Sequence, residues 1–350
     1  MRLPKLRVAL IAAAVAACGG DEAVPTDAAD APPPPIDASI DASGPPTMLS
    51  QTGLYSDIGA GTIAPGVAEY MPRWQLWSDE AAKRRWIFLP PGSQIDTSDM
   101  DHWQFPMGTK IWKEFVRDGQ KIETRYLEKT GPGATFDDWY AVSFQWMGGD
   151  AVAVPGGVVD DPGHNDIPSR SGCRQCHDAQ RIPSVVVSFS ALLLDVPSAD
   201  PQVMNLGRLV ADGRLTAPPT NPVAGTYFPL PADPVAQAGI GYLHVNCGNC
   251  HNDRSAGSVL VGVPGRIELR LAVSELAAGA WSATAPYRTT VGRPSGLNNT
   301  LTLVAPGSAA TSHLFERLTA TTGIRMPPIG REVVDPTGSE EVRAWIAALP

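Results

Sequence analysis

Four of the five cysteines of the chain fall in two copies of the pentapeptide CxxCH, Cys173-Arg174-Gln175-Cys176-His177 and Cys247-Gly248-Asn249-Cys250-His251. Thiols three positions apart lie on one helical turn. There each can form a thioether with a vinyl group of the same haem, and the histidine that follows is held under the iron. The pattern predicts two covalently bound haem c groups, with Cys173, Cys176, Cys247 and Cys250 as thioether residues and His177 and His251 as proximal axial ligands. Other uses of the cysteines explain less. Zinc sites built from two CxxC pairs usually separate them by about 15–20 residues, whereas about 70 residues lie between these. A disulfide within each pair suits an exported chain but leaves the histidines unused. A thioredoxin-like redox pair wants a βαβ setting, which the flanking sequence lacks.

The fifth cysteine, Cys18, follows a basic start (Arg2, Lys5, Arg7) and an apolar run from Val8 to Ala17 that is too short for a permanent membrane span. Residues 1–17 read as a cleaved export signal. Val15-Ala16-Ala17-Cys18 resembles the bacterial lipobox, which implies lipidation at Cys18 and, with Gly19 after it, an outer-membrane anchor. Residues 18–47 are rich in Asp, Ala and Pro, including Pro32 to Pro35, and hold almost no large apolar side chains of the kind a core requires; they are expected to form a disordered tether. In bacteria haem is joined to CxxCH on the outer side of the cytoplasmic membrane, so export and haem attachment agree. Removing the three basic residues of the signal takes the formal charge from −9 to −12. An acidic surface argues against nucleic acid and for a neutral or basic redox partner in the cell envelope. No other segment is apolar enough to span a membrane.

The haem motifs need elements to position them, and the chain supplies these in two textures. Residues 48–159 hold seven of the nine tryptophans and read as β. Ile111 to Arg117 and Lys121 to Lys129 flank Asp118-Gly119, a strong hairpin signal. Trp139 to Trp146 precedes a Gly148-Gly149-Asp150 turn and a return over Ala151 to Val154, and a further strand is expected around Arg84 to Leu89. The expectation is an antiparallel, sandwich-like domain of five to eight strands. Asp79, Lys83, Arg84, Arg85, His102, Asp137 and Asp138 form no nucleophile-and-base pattern, so they read as the charged rim of an aromatic core. His102 reads as a surface or core-edge histidine.

Residues 160–232 carry the first haem motif and residues 233–350 the second, in a mainly-α region. Asp233 suits an N-cap and Pro234 a first helical position, with Val235, Ala238, Tyr242 and Val245 near one face. Glu340 and Glu341 suit the first turn of a closing helix whose apolar face is Val342, Trp345, Ile346 and Leu349. Gly239 would let the two helices cross closely. Between them lies Arg325-Met326-Pro327-Pro328, about 75 residues after the second motif. The prolines fix φ and donate no backbone hydrogen bond, which holds such a loop out of regular structure.

With its helix into CxxCH, its Met-Pro-Pro element and its Trp-Ile closing helix, residues 233–350 resemble a cytochrome c domain. The resemblance implies Met326 as the sixth iron ligand. Residues 54–350 are similar to dihaem c-type cytochromes with a β domain before the haem region. Leu76-Trp77-Ser78-Asp79-Glu80-Ala81, Lys83, Arg84 and Trp103-Gln104-Phe105-Pro106-Met107-Gly108-Thr109 carry that likeness together with both haem motifs. The fold class expected is therefore multidomain, β followed by a cytochrome c-like α region.

The first motif has no Met-Pro-Pro partner. Met204, which reads as a helix residue within Val203 to Leu209, is the first candidate for its sixth ligand, ahead of His164, His244, His102 and Met147. Two six-coordinate irons would make the protein an electron carrier. An open first iron would instead make it a haem enzyme, peroxidase-like or reducing a small molecule, though no acid–base group stands beside the first motif. A third reading is an envelope binding protein whose β domain engages a protein or glycan.

Overall fold

The computed structural model describes residues 44–159, 166–178, 184–198, 200, 202–254, 267–296 and 298–350. The expected signal, the expected lipidation site Cys18, most of the expected tether and His164 lie outside these. Asp118 (φ 50°) and Gly119 (φ 75°) make the expected two-residue turn with both central residues left-handed. They join β5 (Lys110–Arg117) to β6 (Gln120–Lys129). The other strands are β1 (Tyr55–Asp57), β2 (Thr62–Ile63), β3 (Val67–Tyr70), β4 (Ala82–Phe88), β7 (Trp139–Met147), β8 (Asp150–Ala153), β9 (Val203–Met204), β10 (Pro294–Ser295) and β11 (Asn298–Thr302).

Seven strands form one sheet in the order β8-β7-β6-β5-β4-β3-β9; every pair is antiparallel except β3 with β9. β1–β2 and β10–β11 are separate hairpins. The expected facing sheets of a sandwich are replaced by loops and helices on both sides of this single sheet. Trp86, Trp112, Tyr126 and Val142 are neighbours across β4 to β7 and pack under Leu49, Leu54 and Tyr55. On the other face Ile87, Ile111, Leu127 and Ala141 are neighbours. They are covered by Cys173, Val185, Val186, Phe189, Leu206 and Leu209, which belong to the segment of the first haem motif. That segment brings enough apolar surface to make a second sheet unnecessary. The chain is already tied to the sheet at Thr47, whose carbonyl accepts Ala153 N–H (2.9 Å).

The helices are α1 (Arg170–His177), α2 (Ala191–Leu194), α3 (Leu206–Ala211), α4 (Pro234–Asn246), α5 (Val273–Leu276), α6 (Ala285–Thr290), α7 (His313–Thr319) and α8 (Pro336–Ala348). α4 starts as expected, with the Asp233 carboxylate accepting Val235 and Ala236 N–H. α8 starts four residues before Glu340, because Asp335-Pro336 repeats the Asp-Pro signal that opens α4 and Asp335 accepts Gly338 N–H. α4 and α8 cross at two glycines. A Cβ on Gly239 would lie 2.5 Å from Trp345 Cβ and 2.9 Å from Glu341 O, and one on Gly338 would overlap the Tyr242 ring. Among the described residues no helix is long and apolar enough to cross a membrane.

Candidate haem-attachment sites

The first motif occupies α1, whose N-cap Ser169 accepts Gly172 N–H. The helix is fixed against the sheet from three sides. Arg170 donates to Trp139 O, Pro168 O accepts the Ser143 hydroxyl (3.1 Å), and Arg174 pairs with Asp137. Asp137 belongs to a 3-10 turn, Phe136–Asp138, that Asp138 organises by accepting Gly133 N–H, Thr135 N–H and the Thr135 hydroxyl. These two acids, expected at the rim, position the motif. Cys173 is buried, Cys176 exposed, and both thiols are free. Burial pushes the Cys173 thiol up to about 11, the opposite of the lowered pKa of a reactive redox cysteine.

His177 leans on the Phe136 ring, 6.4 Å between centroids. Its Nδ1 stands 2.5 Å from Val185 O, an acceptor, so Nδ1 carries the proton and Nε2 is left as the coordinating nitrogen. Burial lowers its pKa to about 4, with Lys113 and Arg125 adding to the effect and the Val185 carbonyl opposing it. The ring is neutral at physiological pH, the state an iron ligand requires.

The second motif begins where α4 ends. Cys247 is partly buried and Cys250 exposed, again outside any disulfide, and burial pushes Cys247 up to about 12. A stretch over 269–271 is pinned across it: Leu269 N–H donates to His251 O (2.8 Å) and Leu271 N–H to His244 Nδ1 (2.9 Å). Gly248 permits this approach, since a Cβ there would lie 2.5 Å from His244 O and 2.9 Å from Arg270 Cα. His244, a lesser ligand candidate, is 2% exposed and its Nδ1 is already occupied. The His251 pKa is lowered by burial and by Arg317, with the Ile267 backbone opposing.

Met326 lies in the loop after α7, half-buried, its N–H donated to Arg317 O (2.8 Å). The charge of Arg317 acts on His251, so one residue adjoins both the proposed ligand loop and the motif. Arg331 does the same from the other end of the loop: its guanidinium donates to Leu318 O and Ala320 O, and Cys247 lies within its field. Asp79 closes the arrangement. Its Oδ1 accepts Glu332 N–H (3.0 Å) and Val333 N–H (2.8 Å), while Trp77 bonds Asn246 at the end of α4 and donates its indole N–H to Val333 O. Asp79 and Glu80 both hold positive φ, 44° and 67°.

Two sequence expectations need correction. Asp79 and Arg85 are 2% and 1% exposed and sit in the interior rather than at a rim. Asp79 is drawn in by the backbone donors of residues 332 and 333, and Arg85 by strand alternation, which turns it to the same face as Ile87. Met204 is a strand residue rather than a helical one, because Asn205 caps α3 by accepting Arg208 N–H and the helix starts after it. Met204 is 8% exposed and stands opposite Tyr70 in the β3–β9 pair. Met147 is 66% exposed at the end of β7.

Sequence reasoning also missed the loop over 99–103. His102 Nδ1 lies 2.6 Å from Asp99 and its Nε2 3.7 Å from Asp253, two residues after His251. Asp101 accepts Val273 N–H at its carboxylate and Arg270 at its carbonyl. A small cavity is lined by Asp101 and Trp103 together with Ser184 and Val186 from the first motif's side and Asn249 and Arg270 from the second's. A second, of about 140 Å³, is lined by Phe105, Trp139, Val185 and Arg254 among others. The loop therefore adjoins both motifs, a contact between residues about 170 apart that no local pattern announces.

The residues present fit covalent haem at both motifs: four cysteines outside any disulfide, two partly buried imidazoles whose pKa values burial lowers, and a backbone acceptor that orients His177. Among the described residues no three His, Cys, Asp or Glu side chains gather into a metal-binding group of their own. Comparison of the chain with family models, with curated proteins and with solved structures gives no match.

Proposed function

We propose that the protein is a dihaem c-type cytochrome that passes electrons in the cell envelope, exported and lipid-anchored at Cys18, with a β half before a cytochrome c-like α half. The observation that carries this reading is the pair of CxxCH motifs with none of their four cysteines in a disulfide and His177 held by Val185 O so that Nε2 is the coordinating atom. Haem bound at these residues supplies a one-electron iron couple. The chain's part is to hold the His177 imidazole neutral and oriented, to lower the His251 pKa by burial, to exclude water by packing α1 on the sheet and 269–271 on α4, and to fix the Met326 loop through Arg317 O. Trp103, 2% exposed, lines a small cavity with Ser184 and Val186 that follow the first motif and Asn249 of the second, which supports transfer from one haem to the other within one chain.

The test is a redox-titrated absorption spectrum of the holoprotein with Cys173→Ser/Cys176→Ser and Cys247→Ser/Cys250→Ser variants. Two covalent haems in the wild type and one in each variant are expected. Carbon monoxide binding to the ferrous wild type would refute the pure carrier and leave the haem enzyme in its place. A wild type without covalent haem would refute both.

A further inference from the structure

Cations from three neighbouring strands meet on the sheet face that carries the first motif. Arg85 of β4, Lys113 of β5 and Arg125 of β6 are successive partners across the strands, and they share the face of Ile87, Ile111 and Leu127. Lys83 stands two residues along β4 on the same face. Glu123 is 1% exposed at its side chain, and Arg125 takes it at 2.5 Å. Lys83 donates to the Ser78 hydroxyl (2.6 Å) and lies in the fields of Asp79 and Asp335. Arg85 is left over. It is 1% exposed, and among the described residues its hydrogen bond is from Nη1 to Gln75 Oε1 (3.3 Å), while Nε and Nη2 are buried with no partner. Among the described residues Tyr70 is the group that offsets its burial, and Glu123 is the carboxylate set against the three cations around Lys113.

A buried guanidinium with two idle donors is among the costliest arrangements a fold can hold, unless a ligand completes it. The field of this cluster reaches the first motif: Arg125 acts on Cys173 and Cys176, and Lys113 on Cys176 and His177. A planar fork of donors flanked by ammonium groups suits a carboxylate.

We propose that Arg85, with Lys113, Lys83 and Arg125 around it, binds the propionate carboxylates of the haem joined to Cys173 and Cys176, an assignment that rests on the haem reading above. The shared chemistry is a carboxylate or other oxyanion. Covalent attachment at the neighbouring cysteines makes the haem's own carboxylates the source this cluster meets first. In this role the cluster holds the edge of the haem inside the sheet's interior and raises the potential of that iron, because nearby cations favour the ferrous state.

The experiment is a redox titration of the holoprotein, wild type against Arg85→Gln, Lys113→Gln and Arg84→Gln. In R85Q and in K113Q one of the two midpoints is expected to fall by at least a tenfold change in the ferric-to-ferrous ratio, about 59 mV for one electron. The other midpoint stays. R84Q, whose exposed guanidinium pairs with Glu69 on the opposite face, should move neither. If R85Q does not fold, K113Q carries the test. Two haems attached with both midpoints unmoved in R85Q and K113Q overturn this assignment while the haem reading stands; no covalent haem in the wild type overturns both. Titrating the wild type with acetate and with nitrite separates the sources. No saturable change in the haem spectrum supports propionates, whereas a saturable change that R85Q abolishes gives the cluster to a free oxyanion and overturns the proposal.

Discussion

Asp79 is the contact whose loss should be felt farthest away in sequence, because it ties the turn before β4 to the chain just after Met326. Its Oδ1 accepts two backbone N–H groups, at 3.0 and 2.8 Å, from residues more than 250 positions distant. Hydrogen bonds to an ionised acceptor contribute about 1.5–3 kcal/mol each. Asp79→Ala removes both, leaves two backbone donors idle, and places alanine at φ 44°, a left-handed conformation that costs it roughly 1 kcal/mol more than aspartate. Against this stands relief of the buried Oδ2, which has no hydrogen-bond partner among the described residues. The balance is a loss of about 3–5 kcal/mol. Asp79→Asn keeps an acceptor and tolerates the same φ, so it should lose only about 1–2 kcal/mol. Urea unfolding followed by tryptophan fluorescence measures both, with the slope checked for constancy. Limited proteolysis should show cleavage between residues 323 and 333 appearing first in D79A. Equal losses in the two variants, or a D79A loss under about 1 kcal/mol, would refute the reasoning, since either would mean that these two bonds do not hold the loop.

His244 is buried with its pKa well below the ordinary value, by burial first and by Arg270 second. The unfolded chain therefore binds a proton that the folded chain refuses. Stability should fall as pH drops below about 6.5, by up to roughly 1.4 kcal/mol per unit for this group. His244→Gln keeps an acceptor for Leu271 N–H and should flatten that slope in urea midpoints taken between pH 6.5 and 5; an unchanged slope would assign the pH dependence to other groups. Gly239→Ala forces α4 off Trp345 and Glu341, and overpacking of this kind costs about 1–3 kcal/mol. Gly279→Ala, where a Cβ meets nothing within 4 Å, should lose less despite its φ of 65°. Asn205→Ala removes the cap of α3 and should cost about 1 kcal/mol, read as a lower urea midpoint.

The parts legible in the sequence were those written locally. Asp118-Gly119 announces its hairpin and Asp233-Pro234 its helix, because each depends on residues within one turn of one another. The start of α8 was equally legible in Asp335-Pro336 but was masked by the acidic pair Glu340 and Glu341. What stayed hidden depends on pairing across long separations. Nothing near Arg85 in sequence shows that Lys113 and Arg125 will be its cross-strand neighbours, so a buried cationic row reads as a scatter of surface charge. The same holds for Asp79, whose partners are backbone groups and leave no trace in residue type, and for the loop over 99–103. The single sheet was misread because alternation within strands is the same whether a second sheet or a layer of loops covers them.

The short parallel strand β9 has a consequence for how this chain can be cut. Residues 48–159 supply six of the seven strands but neither the outer rail on β3 nor the apolar cover over Ile87, Ile111 and Leu127, both of which arrive after the first haem motif. A fragment ending at 159 would leave β3 as a bare edge beside an uncovered greasy face, the state that invites sheet-to-sheet association. The shortest soluble piece holding the sheet should therefore run at least through Met204, and it will carry Cys173 and Cys176 with it.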